Sequence, residues 1–282
     1  MYIFMKGITD MRENHSRLTR LLSAVLSVLM FCATFAGLIE FTDISPEAFD
    51  PTTMTPTVKS TTSSYYFKAT PSVFEMGDGY AVIWATSFKG TGYIKYTYQG
   101  VSYTVYDQAQ NITKTHDDIH VVKVPHEHLD GNSYTVYSQV VTANNATSAT
   151  MGTTVSCGPI TLKARNTSGT VNALQFTDTH SYTDCAIGVA QQYTTNPDIL
   201  IFTGDIADNL QTRDYIINNL FGLIASVSCG RYPVVYCRGN HEARGRYSTM
   251  LLQYFPTETG EYYFDFEYGD LYGVVLDTGE DK

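Results

Sequence analysis

Asp178, His180, Asp205, Asn240 and His241 are the residues of this chain whose types and spacing best suit chemistry. They fall in three polar clusters: Asp178-Thr179-His180, Gly204-Asp205-Ile206-Ala207-Asp208-Asn209 and Gly239-Asn240-His241-Glu242. Carboxylate, amide oxygen and imidazole together suit Fe, Mn, Zn or similar ions. Asp178 and His180 alternate in an extended segment, and a loop bend lets both turn toward one ion. Asp205 can use both carboxylate oxygens to bridge two ions about 3.5–4 Å apart. Asn240 offers an amide oxygen to the second ion. His241, the next residue, points elsewhere and can protonate a leaving-group oxygen. Gly204 and Gly239 leave the backbone free to approach the metals closely.

The elements that must position these clusters are legible around them. Residues 172–177, 198–203 and 232–237 read as strands, the second of them wholly apolar, and each runs into one cluster. Residues 186–193 read as a short helix. Residues 213–228 read as a longer one, with Tyr215, Ile216, Leu220, Leu223 and Ile224 along one stripe. Strands alternating with helices imply an α/β domain with a parallel sheet (βαβαβ). In such a sheet the carboxyl ends of the strands share one edge, so the three clusters converge there. Two further strands, 261–266 and 271–276, read as a hairpin-type pair, and the sheet of this domain is expected to be mixed.

Upstream the texture differs. Short alternating runs at 79–85, 92–98, 102–106, 119–124 and 133–140 are bounded by Gly, Asn or Asp. Runs of this kind build a β-sandwich of about 100 residues, here with Trp84 in its core. His116, His120, His126 and His128 lie in this region as surface or packing residues. Residues 40–64 are rich in Thr, Ser and Pro and read as a linker. Lys6, Arg12, Arg17 and Arg20 precede an apolar run at 21–39. This reads as an export signal cleaved after Ala36, or as an anchor if left uncleaved. A secreted or extracytoplasmic location follows, with membrane contact only through that segment. Four cysteines remain beyond the leader, of which Cys229 and Cys237 are placed to pair, with buried free thiols as the plainer alternative.

With Lys+Arg 18 against Asp+Glu 28, the formal charge is −10, which excludes a nucleic-acid backbone as the expected partner. A small phosphorylated substrate stays compatible, because a local metal charge overrides the global field.

The order D-x-H, G-D-x-x-D, G-N-H-E, carried by Asp178 and His180, Gly204, Asp205 and Asp208, and Gly239 to Glu242, resembles the calcineurin-like metallophosphoesterase superfamily. The upstream part, with Ile83-Trp84-Ala85-Thr86-Ser87 and Val124-Pro125-His126-Glu127-His128-Leu129-Asp130, resembles the fibronectin III-like N-terminal domain of purple acid phosphatases. The resemblance implies a sandwich over 65–165, then the N-terminal part of a metallophosphoesterase domain over 170–282. It implies a phosphoric ester hydrolase with two divalent or trivalent ions (Fe, Mn or Zn) on Asp178, His180, Asp205 and Asn240, and His241 as proton donor. A nucleotidase or phosphodiesterase of the same superfamily, or a non-catalytic cell-surface binding protein, is the alternative. Asp208 stands where purple acid phosphatases have a Tyr ligand, and His180 where they usually have Gly, so no tyrosinate-to-iron colour is expected. The family pattern also takes later histidines, whereas this sequence has none after Glu242. A C-terminally truncated frame with weak metal occupancy and little or no turnover is therefore expected.

Taken singly, Asp178, Asp205 and Asn240 are common turn and cap residues; three clusters in family order reverse that reading. Asp208 and Glu242 are better read as caps or supports of the ligands. Arg244 suits either phosphate contact or a solvated surface.

Overall fold

The computed structural model describes residues 49–278, apart from 61, 63, 168 and 194. The expected leader at 1–39 and the start of the linker lie outside the described residues. No helix among the described residues is long and apolar enough to cross a membrane.

Strand β3, Tyr80–Tyr98, organises the β-rich half. It merges the two expected strands at 79–85 and 92–98 into one bent strand. From Tyr80 to Ala85 it pairs antiparallel with β2 (Phe67–Glu75) and β7 (Asp117–Val124). From Gly90 onward it pairs with β8 (Ser133–Asn144) and, from Tyr93, with β4 (Val101–Tyr106). The register shift between Ala85 and Gly90 is the corner where the strand changes neighbours. Beyond β8 lie β9 (Ala149–Thr161) and β1 (Val58–Ser60), while β5 (Gln108–Ala109) and β6 (Ile112–Thr113) form a separate two-stranded ribbon. The last part of the expected linker thus joins the sheet through β1, and Phe49 before it is fully buried against Tyr232.

The alternation along β3 explains its two faces. Tyr80, Val82 and Trp84 face one core, shared with Ile94, Val122, Val136 and Ile160. Ala81, Ile83 and Ala85 face a second core, shared with the helices. Trp84 is fully buried, as expected, and its Nε1 donates to Ser138 Oγ at 2.8 Å. His120 is fully buried beside Trp84, and His126 contacts Glu75 at 2.8 Å.

The α/β half continues the same sheet. Strands β10 (Ala173–Phe176), β11 (Ile199–Phe202) and β12 (Pro233–Tyr236) pair in parallel, and β12 pairs in parallel with β2 through Pro233–Val73 and Val234–Phe74. The β-rich and α/β halves therefore share one ten-stranded sheet, within a single compact unit, and the separate β-sandwich expected over 65–165 is not specifically shown. Two short helices, α1 (His126–Leu129) and α2 (Thr183–Ala190), flank it, the latter three residues earlier than the 186–193 expected. Residues 213–228 form α3, capped by Thr212 Oγ1 and interrupted by a π-helical stretch at Ile216–Phe221. That stretch widens the buried face beyond the expected stripe, bringing in Ile217 and Phe221. The helix stops at Cys229, in the left-handed conformation at φ +52°. A short helix α4 (Leu251–Tyr254) follows. On the opposite sheet face the hairpin β13 (Phe264–Tyr268) and β14 (Leu271–Val275) packs Phe264, Phe266 and Tyr268 on Ile199, Ile201 and Val235.

Cys157, Cys229 and Cys237 are buried free thiols and Cys185 is an exposed one, so Cys229 and Cys237 do not pair. Cys229 ends its helix and donates to Pro51 O, whereas Cys237 lies in the hairpin core. Arg165 ties the halves together, with Nη2 on Glu75 at 2.7 Å, Nε 3.4 Å from Asp130 and Nη1 on the Glu267 carbonyl at 2.5 Å.

Candidate metal centre

The three polar clusters follow β10, β11 and β12, adjacent parallel strands, so they meet at one sheet edge as the alternating pattern requires. Their backbones continue the ladder past the strands. Asp178 N donates to Gly204 O at 3.1 Å, His180 N to Asp205 O at 3.0 Å and Ser181 N to Ile206 O at 2.7 Å. The second and third loops touch through their glycines. A Cβ on Gly204, at φ +96°, would lie 2.6 Å from Gly239 Cα, and one on Gly239 would overlap Asp205 Oδ1. These glycines thus serve loop-to-loop approach, a closer constraint than the metal access expected of them.

Asp178, His180 and Asp205 all have positive φ, +53°, +43° and +52°. For residues with a Cβ such backbone costs of order 1–3 kcal/mol each and persists only where surroundings impose it. Three such residues thus fall in the two loops after β10 and β11.

His180, Asp205 and His241 come together, with one ligand-capable atom from each within 4.8 Å of the others. His180 Nδ1 contacts Asp208 Oδ1 at 2.8 Å. With the proton of Nδ1 committed to that carboxylate, Nε2 is left with its lone pair, the arrangement usual in metal-binding histidines. Asn240 lies against Asp205, with Nδ2 oriented 2.9 Å from Oδ2, and its Oδ1 accepts from Arg244 Nη2 at 2.8 Å. Asp205 Oδ1 also accepts the His241 N–H at 3.0 Å. Asp178 stands apart from the group: its carboxylate is exposed and accepts from Thr177 Oγ1 at 2.6 Å.

His241 turns into the cluster, its ring 4.7 Å from that of His180. Its Nε2 lies 3.0 Å from Arg244 Nη1. A guanidinium only donates, so Nε2 accepts and the neutral ring carries its proton on Nδ1. That Nδ1 is buried without a hydrogen-bond partner, with Asp208 Oδ1 3.8 Å away.

Arg244 is therefore in contact with both His241 and Asn240. Tyr215 is an addition that sequence reasoning placed in a helix stripe. Its hydroxyl lies 3.0 Å from Ser181 Oγ and accepts the Asp208 N–H at 3.2 Å. Only its place one turn into the helix after the second cluster could have signalled this. Glu242 is fully buried, and burial pushes its carboxyl above the ordinary range while hydrogen bonds from three backbone N–H groups oppose that shift.

Residues 171–280 match the family model of the calcineurin-like phosphoesterases. The matched phosphoesterase segment contains all three loops and the hairpin, and supports a metal-dependent phosphoesterase in general terms. No match is found among curated proteins. The donor set suits the divalent ions of such a domain: His180 Nε2, the Asp205 carboxylate and the Asn240 amide are borderline-hard ligands on preorganised loops.

Proposed function

We propose that the chain is a phosphatase that hydrolyses small phosphoric esters at a dinuclear centre. The observation that carries this reading is the meeting of His180, Asp205 and His241 at the ends of three adjacent parallel strands. His180 and Asp205 would hold one ion, joined by Asp178 once its exposed carboxylate turns inward, and Asp205 and Asn240 would hold the other, with Fe, Mn or Zn as candidates. Ions bound there supply Lewis-acid polarisation of the phosphoryl oxygens and an acidified water.

The chain's own groups do the rest. Asp208 fixes the tautomer of His180. Arg244 lies against His241 Nε2, and it is the imidazolium form of His241 that would give its proton to the leaving alkoxide, returning to the neutral ring. The purple-acid-phosphatase-like reading of the β-rich half, and export through residues 1–39, belong to the same proposal.

His241→Ala tests the proton-donor role. With excess Mn²⁺ it should slow hydrolysis of alkyl phosphates by about 10²–10⁴-fold, and that of p-nitrophenyl phosphate far less. Equal loss on both substrates would remove the assignment.

A further inference from the structure

Glu242 is fully buried directly after His241. Its carboxylate is spent entirely on backbone. Oε2 accepts the N–H of Asp205 at 2.9 Å and of Gly239 at 2.7 Å, and Oε1 accepts the N–H of Ala207 at 2.8 Å. One oxygen atom thus joins the loop after β11 to the loop after β12, at the point where Gly204 and Gly239 are in closest contact.

The consequences run to the ligands. Asp205 sits at φ +52°, and the bond from its N–H to Glu242 helps hold that conformation. The same residue's Oδ1 takes the His241 N–H, so the carboxylate direction depends on the spacing of the two loops. The loop before it follows, because His180 N and Ser181 N bond the carbonyls of Asp205 and Ile206.

We infer that Glu242 is a positioning residue: its carboxylate sets the separation of the Asp205 loop from the Asn240–His241 loop and so the affinity of the centre for divalent cations. This rests on the metal-centre reading above, but the loop-holding part stands on backbone hydrogen bonds alone.

Two measurements on the full chain test it. Amide-resolved hydrogen exchange on the wild type should show Asp205, Ala207 and Gly239 strongly protected, although all three lie outside strands and helices. In Glu242→Gln one carboxylate oxygen becomes an amide that faces a backbone N–H. Exchange at one or more of these amides should accelerate while the strands stay protected. Affinity for Mn²⁺, read by electron paramagnetic resonance of the free ion, should fall roughly 10–100-fold, the usual effect of losing a ligand's support. Glu242→Asp, a carboxylate one methylene shorter, should recover part of the Mn²⁺ affinity relative to Glu242→Gln. Rapid exchange of the three amides in the wild type, or equal Mn²⁺ affinity in wild type and Glu242→Gln, overturns the inference. A wild type that binds no Mn²⁺ sinks the metal-centre reading instead, and the exchange data still decide whether Glu242 holds the loops.

Discussion

Replacing Gly204 by Ala should weaken both the fold and the centre, by an amount that follows from two structural facts. The residue sits at φ +96°, a backbone that costs a Cβ-bearing residue roughly 1–2 kcal/mol. The new methyl carbon would also lie 2.6 Å from both Gly239 Cα and Gly239 N, backbone atoms that cannot swing aside. Forcing a methyl group into such a contact adds roughly 1–3 kcal/mol. The sum is a loss of about 2–5 kcal/mol, or a fall in Tm of about 10 °C for a unit of this size. Urea unfolding followed by circular dichroism measures it, with Mn²⁺ titration alongside. Gly188→Ala is the control: nothing lies within 4 Å of its Cβ, inside the helix Thr183–Ala190. That variant should gain about 0.5–1 kcal/mol from the better helix former. If Gly204→Ala were as stable as the wild type, the close approach of the loops would be wrong.

Arg165→Met should cost about 3–5 kcal/mol, because it strands the buried Glu75 carboxylate without its guanidinium; chemical denaturation at neutral pH checks it, and a loss below about 1 kcal/mol would mean the pair behaves as a surface bridge. Burial pushes the thiols of Cys157 and Cys237 up to about 12 and that of Cys229 up to about 11. A folded-state pKa above the unfolded value of 9.0 leaves stability intact below pH 9 and erodes it as pH rises toward 11–12. Each thiol contributes up to about 1.4 kcal/mol per pH unit in that window, so unfolding free energies at pH 8 and pH 10.5 should differ. Cys157→Ala should flatten the slope, and a slope identical to the wild type would contradict the buried-thiol account.

Much of the α/β half was legible because each of its strands is an apolar run ending in a polar cluster, as in Ile199–Phe202 followed by Gly204-Asp205. The three loops could be placed on one edge from that alternation alone. The joining of the two halves could not. Val73 and Phe74 of β2 choose β12 as partner across a long stretch of chain, and a period-two run carries no information about its neighbour. The bend in β3 was hidden for a related reason. The stretch 86–91 looks like a turn between two strands, yet the backbone there continues as a kinked strand whose exposed tip is Phe88. At the centre, residue types named candidate donors, of which His180 and Asp205 come together, but not the direction of each side chain. His241 faces into the cluster because its N–H is held by Asp205 and its ring by Arg244. Asp178 is exposed and accepts from Thr177 Oγ1. Asp208 and Tyr215 enter through contacts with His180 and Ser181 that only the folded loops create.

Mn²⁺ titration of the full chain and of Asp205→Asn, with folding monitored in parallel, bears most directly on the metal centre. Asp205 touches two neighbours in the group, through Asn240 and the His241 N–H. Saturable Mn²⁺ binding by the wild type, lost in a folded Asp205→Asn, is the result expected. Binding that survives the substitution unchanged, or that never saturates in the wild type, would mean that the three loops do not form a metal site.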